Sequence, residues 1–401
     1  MFEKALTGSR KYWMLVFSLA ALFLPGFFFY FRQLSEGLVL TGMSRDVSWG
    51  LYIAQFTFFV GVAASAVMVV LPYYLHDYKA FGKITILGEF LAVPAVIMCM
   101  LFIFVDMGQP FRILNVFLHP TPNSVMFWDT VVLMGYLLLN IIIGWTTLGA
   151  ERKGVAPPAW VKPVIYISIP WAVSIHTVTA FLYAGVPGRH LWLTAIMAAR
   201  FLASAFASGP SLLIILSMIV RKHTKFDPGK DALQSLAKIV AYAMALNVFF
   251  ILLEVFTAFY SGIPSHRHSL TYLFAGLDGH TALVPWMRVS VVLALVALAL
   301  LIYPATRRNE KFLLVGAASV FISTWIDKGM GLVVGGFIPN PFEKITEYTP
   351  TVPEILITVS VWAAGFLILT VLYKIAVTIR AVSYTHLRAH ETVLDLVCRL
   401  L

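Results

Sequence analysis

The chain has 401 residues, of which 60% are hydrophobic and only 12% charged, with a mean hydropathy of +0.86 and a formal net charge of +10. A soluble domain carries about 25% charged residues, so this composition excludes an ordinary water-soluble globular protein. Its apolar runs need a bilayer, which admits only helices or a closed barrel, and at about 20 residues they have the length of a helix, twice that of a barrel strand. The expected fold class is an all-α integral membrane protein with about ten spans.

In chain order the spans are expected over residues 12–30, 49–75, 84–105, 125–150, 164–184, 200–220, 234–260, 284–303, 312–337 and 355–372. The first is span-length and reads as a retained helix, not a cleaved leader. The second and sixth carry small residues a turn apart, Gly61, Ala64 and Ser65 in one and Ala203, Ala207, Ser208 and Gly209 in the other. Small residues at this spacing let backbones approach closely in lipid. They mark either a packing face on each helix or a duplication of spans 2–5 as 6–9. A duplication gives two four-helix bundles of the same orientation, with spans 1 and 10 peripheral. The polytopic domain is expected to cover residues 1–381. From Val382 the chain reads as an in-frame translation of a transposon-type sequencing adapter, so residues 382–401 are set aside as a non-native tail. His386, His390 and Cys398 leave with it, and Cys99 alone makes no disulfide, thiolate zinc site or iron–sulfur cluster.

Ten spans put both termini on one side. The N-terminus, the even-numbered connections and the flank of the last span hold 17 Lys and Arg, against 6 in the odd-numbered connections. The positive-inside rule makes both termini cytoplasmic in the inner membrane, and the net charge is this topological bias, not a nucleic-acid surface. No span is clearly broken by Gly or Pro at the midplane.

Ionisable groups inside spans are costly and functional by default. They are Glu89, Asp129, His176, Arg200, Lys238, Glu254, Arg288, Asp327 and Lys328. Most fall in the exoplasmic half, joined there by Gln55 and by the loop residues Asp106, Arg112 and His119. The pattern suggests a site open to the outer face; the alternative is structural ion pairing, such as Asp327 with Arg288 or Glu254 with Arg200. Taken alone, His176 could be a buried histidine bonded to Ser174 or a backbone carbonyl, and Lys238 a snorkelling cytoplasmic residue. His176, Asp129 and Asp327 are the candidates for acid/base chemistry, and Gln55, Arg112, His119, Arg200, Glu254 and Arg288 for binding. Glu89, Asn140 and Asn247 are candidates for an inner proton path. One deep histidine does not suit bis-histidine haem, no Rossmann fingerprint is present, and no metal site is expected. A diffusible quinone suits such a site, since its oxygens want acid/base partners and its ring apolar walls.

The stretch Asp106-Met-Gly-Gln-Pro-Phe-Arg112, then Leu118-His119-Pro120-Thr121-Pro122-Asn123-Ser124-Val-Met-Phe-Trp128-Asp129, resembles the NrfD/polysulfide-reductase membrane-subunit family. Trp49-Gly-Leu-Tyr-Ile-Ala, Ser174-Ile-His176-Thr-Val-Thr, Arg200-Phe-Leu-Ala-Ser-Ala-Phe-Ala-Ser-Gly209, Trp325-Ile-Asp327-Lys328-Gly-Met-Gly and Glu347-Tyr-Thr-Pro350-Thr-Val-Pro353-Glu354 extend it over most of the chain. Within the family it is most similar to the ten-span DsrP type, associated with sulfite reduction. The resemblance implies a cofactor-free subunit that binds menaquinone as a diffusible substrate near the outer face. It also implies electron exchange with a ferredoxin-like iron–sulfur subunit docked there, in a complex with a multihaem cytochrome c, a haem-b membrane subunit and a cytoplasmic iron–sulfur subunit. The expected function is therefore a quinone-interacting electron-transfer subunit of a sulfur-metabolism complex. The rivals are a secondary transporter of parallel-repeat fold and a structural anchor for redox partners.

Reporter fusions test the charge count. Fusions in the 221–231 loop should read cytoplasmic and fusions in the 261–281 loop exoplasmic; the reverse pattern would overturn the assignment of the outer face.

Overall fold

The computed structural model describes residues 1–381, so the expected tail at 382–401 lies outside the described residues. Ten helices are long and apolar enough to cross a membrane: α1 (Arg10–Glu36), α2 (Leu51–Leu75), α3 (Thr85–Asp106), α4 (Val125–Lys153), α5 (Val161–Ala184), α6 (Met197–His223), α7 (Lys230–Ser261), α8 (Val284–Ile302), α9 (Glu310–Phe337) and α10 (Val352–Ala381). All ten expected spans are present, and the chain is a multi-pass integral membrane protein. The ends follow local chemistry. Ser9 caps α1 by accepting from the Tyr12 amide at 3.3 Å, and Gly154 and Gly262 close α4 and α7 at φ 67° and 66°, the left-handed conformation glycine adopts without strain. Arg152 and Lys153 end α4, and Arg221, Lys222 and His223 end α6, where cations complement the negative end of the helix dipole.

Helices α2 to α5 close one ring of neighbours and α6 to α9 a second with the same connectivity, while α1 and α10 pair with each other and lean on the first bundle through α3. The two-bundle expectation is thereby met. The core seam is where α2 meets α6, α5 and α9. Helix α2 is buried along almost its whole length, whereas α8 exposes Val289, Val292 and Leu295, an apolar face that only lipid can solvate. A helix at Pro264–Phe274 lies within the α7–α8 connection, at the end of the molecule carrying the odd-numbered connections, hereafter the odd-loop end.

Small residues make the seam. A Cβ on Gly209 of α6 would stand 2.8 Å from the Ser65 amide nitrogen and 2.9 Å from the Val62 carbonyl oxygen of α2. On the other side of α2, a Cβ on Gly88 of α3 would be 3.3 Å from the Ala66 Cα. Between these contacts α2 is not regular. It runs as α-helix over Leu51–Ala63 and Val67–Leu75, and at the join the Ala64 and Ser65 amides donate three residues back, to Gly61 at 3.1 Å and Val62 at 3.0 Å. The Tyr136 hydroxyl of α4 donates to the Ala63 carbonyl at 3.3 Å. Helix α2 is thus interrupted where two neighbouring backbones press on it at one level, and Ala64–Ala66, where the break falls, holds no Gly or Pro. Helix α9 departs as well: Trp325–Gly331 is a π-helix, a wide turn characteristic of functional sites.

Gly209→Ala should lower the thermal midpoint in detergent by an amount equivalent to about 1–3 kcal/mol, since its Cβ meets backbone that must move. Gly108→Ala, where the nearest atom is a Leu38 methyl at 3.5 Å, should leave the midpoint within about 0.5 kcal/mol of the parent.

Candidate functional site

The first turn of α6 carries Arg200, and its guanidinium joins two carboxylates from other helices. One Nη donates to both Asp327 oxygens of α9, at 2.9 and 3.0 Å, and the other to Glu254 of α7. All three side chains are at least nine-tenths buried, so each charge depends on the others for compensation. Within the π-turn the adjacent residues of α9 point in different directions, as neighbours on a helix do. Asp327 faces Arg200, while Lys328 enters the seam, where its ammonium lies 4.3 Å over the Phe201 ring and 3.4 Å from the Phe201 carbonyl. Gly61 leaves it room: a Cβ there would lie 3.2 Å from Nζ. Lys328 forms no ion pair within 4 Å among the described residues.

On the first-bundle side, the Thr179 hydroxyl of α5 lies 2.6 Å from Asp129 of α4. His176, one turn before Thr179, is wholly buried, and neither ring nitrogen has a hydrogen-bond partner; Lys328 is its charged neighbour. A turn beyond, Tyr183 and Thr57 of α2 share a hydrogen bond, and Thr57 donates to the Ile53 carbonyl at 2.8 Å. Above these groups Trp49, Tyr183, Trp192 and Phe337 form an aromatic cap with centroids 5.1–5.7 Å apart. The Trp192 N–H donates to the Leu332 carbonyl at 2.8 Å, and the Arg189 guanidinium lies 4.3 Å over Phe337. A crevice of about 10 Å³, lined by apolar side chains such as Leu273, Phe274 and Met287, ends on Arg200, Glu254 and Asp327.

Glu354 near the start of α10 fastens this end. Its carboxylate accepts from the Leu51 amide at 3.2 Å and the Gly42 amide at 3.0 Å, so one helix caps the N-terminus of another. The Tyr348 hydroxyl donates to Glu354 and accepts from Leu51 at 2.7 Å; burial, then the Glu354 charge, push its phenol up, so it remains a donor.

The expected residues divide. Arg200, Glu254 and Asp327 meet directly, with Asp129 and His176 across the seam. Gln55 is buried on α2 and turned toward α9 and α10, accepting from Trp325 at 2.8 Å and Trp362 at 3.1 Å. Arg288 does not join: it is exposed on α8 and makes no ion pair among the described residues, because Arg200 already takes Asp327. Arg112 and His119 sit exposed in the α3–α4 connection, outside the cluster. Of the inner path, Glu89 packs against α4 at Gly144, where a Cβ would lie 3.4 Å from its carboxylate, and Asn140 is a turn away, bonded to the Tyr136 carbonyl at 2.8 Å. Asn247 belongs to α7 in the other bundle, which separates it from that pair. Thr57, Thr179, Tyr183 and the aromatic cap were not anticipated as a group, since hydroxyls and rings in apolar runs carry no signal until helices are paired.

Arg200→Met leaves Glu254 and Asp327 buried together without their cation and should cost about 3–5 kcal/mol, read as a lower thermal midpoint. Adding Glu254→Gln and Asp327→Asn should restore most of the loss, because the uncompensated charge is then gone.

Residues 39–335 match the family described as Polysulphide reductase, NrfD. Among curated proteins, the chain is 28% identical over 384 residues to the membrane subunit of a putative dimethyl sulfoxide reductase of Halobacterium salinarum, covering 87% of this chain and 88% of the relative. It is 23% identical over 390 residues to an Hdr-like menaquinol oxidoreductase integral membrane subunit of Archaeoglobus fulgidus, covering 93% and 95%. A selenate reductase subunit of Mesobacillus selenatarsenatis is also 23% identical, over 60% of this chain and 63% of its own length. With three-quarters of its length matched and ten spanning helices in place, the chain belongs to the NrfD family of integral membrane proteins.

Proposed function

We propose that the chain is the quinone-interacting membrane subunit of an oxidoreductase complex, exchanging electrons between menaquinol and an iron–sulfur partner at the odd-loop face. The observation that carries this reading is the one-sided gathering of acid/base groups. At 1.5 Å per residue, Arg200, Asp129, Glu254, His176 and Asp327 lie roughly 5 to 15 Å from the odd-loop ends of their helices. A quinol releases or takes protons where it exchanges electrons, and positioned side chains must accept or supply them. His176, with both nitrogens unengaged, is the primary proton acceptor, and Asp129 and Asp327 pass protons toward the odd-loop face. The aromatic cap of Trp49, Tyr183, Trp192 and Phe337 excludes water above them.

The relatives support a redox assembly: one is named a menaquinol oxidoreductase subunit and two are reductase subunits. The charge bias makes the odd-loop face exoplasmic and both termini cytoplasmic in the inner membrane. The DsrP-like motifs extend the assembly to a ferredoxin-like subunit and multihaem cytochrome c outside, a haem-b membrane subunit and a cytoplasmic iron–sulfur subunit, acting on sulfur compounds, with no cofactor held by this chain itself. A second reading, a secondary transporter, draws on the interruption of α2, since discontinuous helices line transporter sites. Substrate flux without quinol dependence would favour it.

In membranes carrying the assembled complex, His176→Ala should reduce quinol-dependent electron transfer at least about 10²-fold while the subunit still inserts and holds its partner. Near-normal turnover in that variant would reduce His176 to packing.

A further inference from the structure

At the end of α4 remote from the odd-loop face lies a cavity of about 560 Å³ that the acid/base cluster does not touch. Trp145, Gly149, Arg152 and Lys153 of α4 line it, together with Val155 of the α4–α5 connection and Met1. Sites for small ligands span roughly 300–1,000 Å³, so the space is large enough to hold one. Gly149 keeps it open: a Cβ there would already stand 3.1 Å from the Met1 Cε. Phe2 packs on Trp145 with ring centroids 4.9 Å apart and holds that wall.

The charge around the cavity is of one sign. Arg152 and Lys153 are exposed and form no ion pair within 4 Å among the described residues. Glu151, the acidic residue beside them, turns away to α10, where its carboxylate accepts from Arg380 Nε at 3.1 Å. No acidic side chain lines the space among the described residues. The helix dipole accounts for cations at this end of α4, but not for a cavity beside them that lacks a counter-charge.

The cavity also continues into the bilayer. Leu138, Ile141 and Ile142 are exposed, and at 3.6 residues per turn they share one face of α4 with Trp145, Gly149, Arg152 and Lys153. From Leu138 to Gly149 this stripe runs roughly 16 Å at 1.5 Å per residue, about one leaflet of a hydrocarbon core roughly 30 Å thick. Trp145 stands between the apolar stripe and the cations, the interfacial level that tryptophan favours. A soluble anion would engage only the cations. A phospholipid with a net negative headgroup matches both parts, and basic pockets beside membrane helices take such headgroups.

We propose that this cavity binds the headgroup of one anionic phospholipid, its phosphate paired with Arg152 and Lys153 and an acyl chain lying along Leu138, Ile141 and Ile142. Arg152 offers a planar fork of donors to the phosphate oxygens, and Lys153 adds a compact charge. The site lies at the opposite end of the molecule from the proposed quinone chemistry and does not rest on it. Free phosphate shares the headgroup chemistry, and the experiment separates the two sources.

The test uses the full chain in detergent, with bound lipid counted by native mass spectrometry during titration with phosphatidylglycerol or with phosphatidylcholine of the same acyl chains. The parent should bind one phosphatidylglycerol at least about fivefold more tightly than phosphatidylcholine, the effect of one net charge at a basic site. Arg152→Gln combined with Lys153→Gln should weaken phosphatidylglycerol binding about thirtyfold. Gly149→Phe keeps both cations but fills the cavity, and should also lose the bound lipid. A photoreactive phosphatidylglycerol should label residues 138–158 of the parent, a readout that stands even if a variant fails to fold. Equal affinity of the parent for the two lipids, undiminished binding in the double variant, or labelling confined to other helices overturns the proposal. Undiminished binding in Gly149→Phe overturns it as well, because the lipid is then held by diffuse surface charge. Inorganic phosphate should leave the thermal midpoint of the parent unchanged; a rise equal to that given by phosphatidylglycerol assigns the cations to a soluble anion and overturns the lipid.

Discussion

The approach of α2 to α6 is the constraint on which the remaining architecture depends. Two backbones come close enough that a single methyl on Gly209 would collide with main-chain atoms, and lipid supplies no hydrophobic drive to hold helices that touch less well. Because α2 is also pressed by α3 at the same depth, it cannot stay regular there, and its irregular turn is tolerated only because the surrounding helices bury it and Tyr136 takes a carbonyl at the break. The same closeness creates the niche beside Gly61 in which the Lys328 ammonium rests.

Charge follows from that geometry. A lone arginine or carboxylate at these depths would be expelled or neutralised, and the protein avoids this by bringing one guanidinium from α6 to carboxylates on α7 and α9. The arrangement tightens the second bundle and places an anionic excess next to a lysine that has no carboxylate of its own among the described residues. His176 lies on the other side of that lysine. Polar groups of the two bundles thus face one another across a seam a few side chains thick.

The fold was largely legible. Ten runs of apolar residues located every span, because hydrophobic length is a local property, and the small-residue faces of the second and sixth spans pointed to the helices that cross. The site was legible only as a set of residue types. Asp327 was one member, but the pairing expected for it was with Arg288, whereas Arg200, expected on Glu254, takes both carboxylates. Both arginines stand near the start of a span; which one turns inward depends on the rotation of its helix, and a buried face and a lipid face in an all-apolar run look alike. Likewise Asn247 seemed to extend the line of Glu89 and Asn140, since depth along a helix is readable and the bundle to which a helix belongs is not.

By itself, then, the sequence determined that this is a ten-helix membrane protein of the NrfD type with its buried polar residues biased toward one side. Length, hydropathy and spacing suffice for the helices and the polar bias, and the family follows from the resemblance carried by the Asp106–Asp129 stretch and its companion motifs. The tertiary structure alone decided that α2 breaks without Gly or Pro, that α9 widens into a π-turn at Asp327 and Lys328, and that Gln55 is turned by two indoles on helices 270 and 307 residues away along the chain. Each of these results from contact between segments distant in sequence, where packing, not propensity, sets the backbone and the direction of the side chain.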